Sequence, residues 1–334
     1  MSKPITAPWG VPQTFRPPKK AQSVLDLVGD TPLVEISKIA SGLSPAVRIF
    51  AKLEGFNPGG SVKDRPALKM VQEGIASRKL KPGKVIMDST SGNTGIALAM
   101  IGRALGYPVK LVMPSNVSTE RKRIIDAFGA EVIFSDPMEG SDGAMRLCRK
   151  ILEKEPEKYF KPDQYFNPMN PQAHYETTGP EIYDQTHGEI THFIAGIGTG
   201  GTIMGTGRFL KEKNPKLRVI AVEPDDALHG LEGLKHMATS IVPGIYHEED
   251  LDEKIAVSTE DAYEMVYRLS QEEGLLVGQS SGAAMHVTLQ IARKLRSGIL
   301  VTVFPDFGDK YLTTNLWVGW YSQRLAIGNL KFSI

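Results

Sequence analysis

Apolar runs and amphipathic stretches alternate along this chain. Val47-Arg48-Ile49-Phe50-Ala51-Lys52-Leu53 is a run of strand length, and a helical period follows from about Ser61 to Ser77. The β-α order then repeats. Further strand candidates are Val85-Ile86-Met87, Val109-Lys110-Leu111-Val112-Met113, Glu131-Val132-Ile133-Phe134, Phe193-Ile194-Ala195, Val219-Ile220-Ala221-Val222 and Leu300-Val301-Thr302-Val303-Phe304. Helical patterns lie between them, and this alternation predicts an α/β fold of mostly parallel sheets covered by helices. Pro162-Asp163-Gln164-Tyr165-Phe166-Asn167-Pro168-Met169-Asn170-Pro171 is dense in turn formers and follows the charged stretch Glu153 to Lys158, which predicts a hinge between two α/β units.

Composition narrows the function classes. At 334 residues, with 41% hydrophobic and 23% charged residues, the chain has room for two domains and a sizeable core. Thirty-nine basic residues against thirty-eight acidic ones leave a formal charge of +1, so no global field recruits nucleic acid or an anionic membrane. Any anionic ligand must be held locally. Cys148 is the single cysteine, which excludes an intramolecular disulfide and a cysteine-cluster metal site and fits a reducing compartment, the cytoplasm by default. Its helical neighbours Met145 and Leu147 predict a packed thiol, and the seven histidines, His187 and His192 among them, lack metal-ligand spacing, so no metal is expected. Residues 1–20 are rich in proline, lack the apolar core of a signal peptide and read as an extended arm; no stretch reaches transmembrane length. The tail 318–334 carries Trp320, Tyr321 and Phe332, an apolar content suited to packing on a neighbouring subunit.

Four segments carry candidate chemistry. Asn57-Pro58-Gly59-Gly60-Ser61-Val62-Lys63-Asp64-Arg65 sets a lysine at a helix start, beside Arg65 and Lys69, whose charges would favour a neutral, nucleophilic amine; a solvated lysine is the plainer alternative. Asp88-Ser89-Thr90-Ser91-Gly92-Asn93-Thr94-Gly95 joins a strand to a helix, so its hydroxyls and N–H groups converge where an anion such as an amino-acid carboxylate binds, or form an ordinary capping turn. Gly196-Ile197-Gly198-Thr199-Gly200-Gly201-Thr202 lets backbone approach a phosphate closely. Through Gly196, Gly198 and Gly201, with Glu223 ending the next strand, it also satisfies the dinucleotide pattern, and an NAD-dependent dehydrogenase stays open on that ground. Val277-Gly278-Gln279-Ser280-Ser281-Gly282 pairs a tight turn with another helix start.

Together these segments resemble the active-site motifs of the cysteine synthase and cystathionine β-synthase family, fold type II pyridoxal phosphate enzymes, over roughly Ser23 to Trp317. The resemblance implies a tryptophan synthase β-like fold: a smaller α/β domain over 51–163, and a larger one over 21–50 and 164–317. It implies that Lys63 holds pyridoxal 5'-phosphate as an imine and moves the substrate α-proton. Gly198, Thr199, Gly200, Gly201 and Thr202 would then cradle the phosphate, Asn93 meet the phenolic oxygen and Ser280 the pyridine nitrogen. Thr90, Ser91, Asn93, Thr94 and Gln164 would bind the substrate. A neutral hydroxyl at the ring nitrogen makes a weaker electron sink than a carboxylate, which favours β-elimination over transamination. Asp306, in Pro305-Asp306-Phe307-Gly308, stands where the family frequently has serine; its plainer reading is an exposed turn acid.

The implied activity is β-replacement: sulfide or another sulfur donor displaces the β-substituent of an activated serine to give L-cysteine. The stretch from Glu223 to Pro243 lacks the longer loop of the commonest cysteine synthases and looks closer to the B-type isozyme. B-type and O-phosphoserine-using relatives carry arginine there, where this chain has Lys235 and His236, so O-acetylserine and O-phosphoserine both stay open as donors. Lys235 is otherwise expected to be a solvated loop lysine. Cystathionine β-synthase, using serine and homocysteine, is the neighbouring alternative. The resemblance further implies a homodimer and, in some relatives, docking of a serine acetyltransferase tail in the cleft.

Overall fold

The structure, a computed structural model, describes residues 20–90 and 92–317. Among these, ten strands run in chain order: β1 Leu33–Glu35, β2 Val47–Leu53, β3 Val85–Ser89, β4 Val109–Pro114, β5 Glu131–Ser135, β6 Tyr159–Phe160, β7 His192–Gly196, β8 Arg218–Pro224, β9 Glu253–Val257 and β10 Gly298–Phe304. The α-helices are α1 Asp64–Ala76, α2 Asn93–Leu105, α3 Thr119–Ala127, α4 Gly140–Lys154, α5 Met169–Glu176, α6 Thr178–Gln185, α7 Gly201–Lys213, α8 Thr259–Arg268 and α9 Gln279–Ala292. The expected N-terminal arm, Lys20 apart, and the tail from 318 onward lie outside the described residues.

Two sheets organise the molecule. Six strands take the order β1-β2-β10-β7-β8-β9, and four take the order β5-β4-β3-β6. Every pairing is parallel except β1 with β2. The chain leaves the larger sheet after Leu53, builds the smaller one, and returns through the turn-rich segment that the sequence marks as a hinge.

Helices on both faces explain why the central strands are apolar at consecutive positions. Successive side chains point to opposite sides of a sheet. Ile194, Ile220, Val222 and Leu300 therefore enter one core while Phe193, Ala195, Val219 and Val301 enter another. In the smaller sheet Ile86 and Leu111 face one layer, and Met87 and Val112 face the layer that holds Cys148. Burial pushes the Cys148 thiol up to about 12, so it packs as an inert apolar group, as expected. No helix among the described residues is long and apolar enough to cross a membrane.

The three strands without a sequence signal are all at sheet edges. β1 has three residues and β6 two, while β9 carries Glu253 and Lys254 and is largely solvent-facing. β1 and β6 are too short to show a period, although Tyr159 and Phe160 of β6 are buried in opposite layers, and β9 carries charge as exposed edge strands commonly do.

Candidate active site

Lys63 sits immediately before α1, where the helix is pinned to the carboxyl end of β10. The Val62 N–H donates to the Pro305 carbonyl at 2.8 Å, and Lys310 Nζ donates to the Gly60 carbonyl at 2.7 Å. Gly60 lies at φ +78°, a left-handed conformation that glycine adopts without strain. Lys63 thereby lines a cavity of about 650 Å³ together with Asn93, Thr94, Gln164, Gly198, Thr199, Thr202 and Ser280. Burial lowers the Lys63 pKa from its ordinary value, against the opposing pull of Asp306 and Glu54. Arg65 and Lys69 do not supply the charge that the sequence suggested. Arg65 is engaged by Glu54 at 2.7 Å and Glu181 at 2.6 Å, and Lys69 by Glu176 at 2.6 Å. Desolvation, not a neighbouring cation, favours the neutral amine.

The loop between β3 and α2 divides its labour. The Thr90 hydroxyl oxygen accepts from the N–H groups of Gly92 and Gly95, at 3.0 and 3.1 Å, so this side chain is turned into the loop and caps α2. Thr94 faces the cavity, and its hydroxyl donates to Gln164 Oε1 at 2.7 Å. Gln164 Nε2 in turn donates to the Ser89 carbonyl at 2.9 Å, which fixes the amide. Ser91 lies outside the described residues.

The residues present fit a phosphorylated aldehyde. Gly200, at φ +87°, turns the chain from β7 into α7, aiming that helix's free N–H groups toward the cavity. Gly198 leaves no room for a side chain, since a Cβ would fall 2.3 Å from the Gly233 carbonyl oxygen. Thr199 Oγ1 accepts from Asn170 Nδ2 at 3.0 Å and keeps its own proton for an anion. Gly201 packs against Asn170, where a Cβ would fall 1.9 Å from Oδ1. Thr202 shares a hydrogen bond of 3.3 Å with Nε2 of His174.

His174 carried no sequence signal. It is buried, and burial lowers its pKa to about 3, so the ring is neutral at ordinary pH. The unfolded chain takes up a proton near pH 6.5 that the folded ring refuses, so this group costs stability as pH falls from 6.5 toward about 3. Replacing His174 with asparagine should flatten the pH dependence of unfolding free energy between pH 6 and 4 by about one proton, roughly 1.4 kcal/mol per pH unit, in urea titrations.

Asp306 is not an exposed turn acid. It is fully buried, and its carboxylate accepts from Asn93 Nδ2 at 2.7 Å and from the Tyr311 hydroxyl at 2.6 Å. Lys310, also buried, reaches Asn93 Oδ1 at 3.3 Å, so both ends of the Asn93 amide are oriented from this segment. Ser280, in the first turn of α9, is buried and faces the cavity. Lys235 is likewise not solvated; its Nζ pairs with Asp142 at 2.9 Å beside the Tyr165 ring.

Arg121 and Glu232 form a charged pair in the cavity that sequence reasoning missed. Arg121 belongs to the first turn of α3, in a Glu120-Arg121-Lys122-Arg123 run that reads as a solvated face. A cation there opposes the helix dipole, and that was the available signal. Arg121 is buried, lies 4.7 Å from the Tyr311 ring, donates to the Tyr311 hydroxyl at 2.7 Å and pairs with Glu232.

A desolvated amine facing a glycine-lined anion cradle across one cavity defines an enzyme site for a phosphorylated carbonyl cofactor. Residues 24–306 match the family described as pyridoxal-phosphate dependent enzyme, and the chain belongs to that family. It is 55% identical over 315 residues to the cysteine synthase of Aquifex aeolicus, covering 92% of this chain and 96% of that protein. It is 40% identical to cysteine synthase B of Pseudomonas aeruginosa, covering 88% and 97%. The crystal structure of a cysteine synthase from Entamoeba histolytica superposes with a TM-score of 0.86 at 38% identity, covering 91% of this chain and 94% of that one. The chain is thus a cysteine synthase-like, fold type II enzyme whose cofactor is pyridoxal phosphate. The dinucleotide reading of the Gly196–Gly201 spacing gives way. Glu223, the acid it needs, accepts from the Met237 N–H at 3.1 Å and pairs with Lys254 at 3.3 Å.

Proposed function

We propose that this enzyme makes L-cysteine by β-replacement, from O-acetylserine or O-phosphoserine and sulfide. The observation that carries the reading is the desolvated Lys63 amine sharing one cavity with the Thr94–Gln164 pair and the glycine loop. In this reading Lys63, Asn93, Ser280 and the run Gly198 to Thr202 hold the cofactor. When bound, pyridoxal phosphate supplies an electron sink for the carbon that loses its proton. Thr94, Gln164 and the N-terminus of α2, with Ser91, hold the substrate carboxylate so that its α-carbon meets Lys63 Nζ. Thr90, turned into the loop, shapes that helix start and does not grip the substrate through its hydroxyl. The neutral amine takes the α-proton, the β-substituent leaves, and sulfide enters at the vacated carbon. Departure of a leaving group from the β-carbon needs no long-lived charge at the pyridine nitrogen, which suits the Ser280 hydroxyl.

The test is to incubate the purified holoenzyme with sulfide and each donor, and to measure cysteine. Cysteine is expected from at least one of the two activated serines. Cystathionine from serine and homocysteine, with no cysteine from sulfide, would overturn the reading in favour of the neighbouring activity. The family resemblance also supports a cytoplasmic homodimer and a cleft open to a serine acetyltransferase tail, which light scattering and peptide titration address.

A further inference from the structure

The cations that line the cavity, among the described residues, are Lys63, Arg121 and Lys235, with His229 held toward its neutral form by burial. Lys63 belongs to the cofactor, and Lys235 is neutralised by Asp142. Arg121 remains. Its guanidinium is fixed by the Tyr311 hydroxyl and ring, and its Nε is buried without a partner. Such a fork is shaped for a carboxylate or a phosphate. The position is filled by Glu232, from the segment after β8, whose own N–H is anchored on Gln279 Oε1 at 2.8 Å beside Ser280. Glu232 is 32% exposed while Arg121 is 3% exposed, so the arginine is built in and the carboxylate is its displaceable, water-touching partner.

We propose that Arg121 is an anion receptor facing the cleft which Glu232 keeps filled, making Glu232 a specificity-determining residue that turns away phosphorylated amino acids. A phosphomonoester arriving over Lys63 meets an arginine already neutralised by Glu232 and gains no free cation there, whereas an uncharged β-substituent such as an acetyl ester needs none. The proposal rests on the cysteine-forming reading for its substrate consequence, but not for the anion site itself.

The test uses the holoenzyme, whose cofactor already fills the phosphate cradle. Inorganic phosphate is titrated calorimetrically into wild type and E232Q, with thermal unfolding in rising phosphate as a second readout for a less stable variant. E232Q should gain a saturable site at least roughly tenfold tighter than any in the wild type, the effect of one freed charge-assisted pair. E232Q should also raise the ratio of kcat/KM for O-phosphoserine over O-acetylserine by roughly tenfold or more. The double variant E232Q/R121M should lose the gained binding. Equal phosphate uptake by wild type and E232Q overturns the proposal, as does binding that survives in the double variant. The titration needs no turnover: wild type that forms no cysteine removes the functional reading and leaves the anion site standing, whereas E232Q that takes up no extra phosphate removes the site and leaves the function standing.

Discussion

Replacing Lys63 with alanine is expected to cut turnover by roughly 10³-fold or more, the scale of losing a positioned proton-transfer group that is also a covalent anchor. The visible absorbance of the lysine-linked cofactor should vanish at the same time. Far-ultraviolet circular dichroism should stay at the wild-type value, because the Nζ end of this side chain projects into the cavity and not into a packed core. Lys63→Arg is the sharper control. It keeps the positive charge and the reach, but a guanidinium does not become neutral in a protein. Burial at this position acts on the amine by disfavouring its charged form, so arginine should be as inactive as alanine. Near-normal turnover by either variant would end the assignment of Lys63 as the reacting amine.

The second large effect is expected two residues away. Arg65 is buried in a network in which Glu54 and Glu181 take its guanidinium, Lys52 reaches Glu181 at 2.6 Å, and the Thr31 hydroxyl donates to Glu54 at 2.7 Å. Arg65→Ala leaves the fully buried Glu54 carboxylate without its main partner, which should destabilise the fold by about 3–5 kcal/mol in urea unfolding at neutral pH. The network ties the first turn of α1 to β2 and α6, so Lys63 loses its seating and activity should fall with stability. Arg65→Met with Glu54→Leu, which removes both charges, should recover much of the loss. A single variant within 1 kcal/mol of wild type would show that water reaches the network and screens it. The acid limb of stability follows from the same residues. Burial alone would raise the Glu54 pKa, but the Arg65 charge and hydrogen bond outweigh it and bring it down to about 2 from an ordinary 4.5. Its contribution is therefore complete above about pH 4.5 and is lost as pH falls toward 2.

Seven strands were legible from apolar runs: six lie inside their sheets, and β5, at the edge of the smaller one, still carries Val132, Ile133 and Phe134 in succession. The other edge strands, β1, β6 and β9, were not: the first two are three and two residues long, and the third opens on Glu253 and Lys254. The motif residues Lys63, Asn93, Thr94, Gln164, Gly198, Thr199, Thr202 and Ser280 were named because their segments resemble the family's motifs, and all of them line one cavity. Asp306 and Lys235 misled in the same way. A turn acid and a loop lysine are normally solvated, and nothing within a few residues of either announces that a partner from a distant segment will bury it. Arg121 was hidden in a basic helical run, and burial against Tyr311 and Glu232, from remote segments, distinguishes it from Lys122 and Arg123, its neighbours in that run.

The chain by itself determined what is local: the order of strands and helices, and the turns whose glycines and hydroxyls prepare each helix start for an anion, because period and turn chemistry are properties of consecutive residues. Only the tertiary structure decided which of those turns meet in one cavity, that Lys63 is weakened by burial and not by Arg65, and that Asp306 and Arg121 are buried and paired. Charge state depends on solvent access and on neighbours from remote segments, and both come into being only when the two sheets are packed.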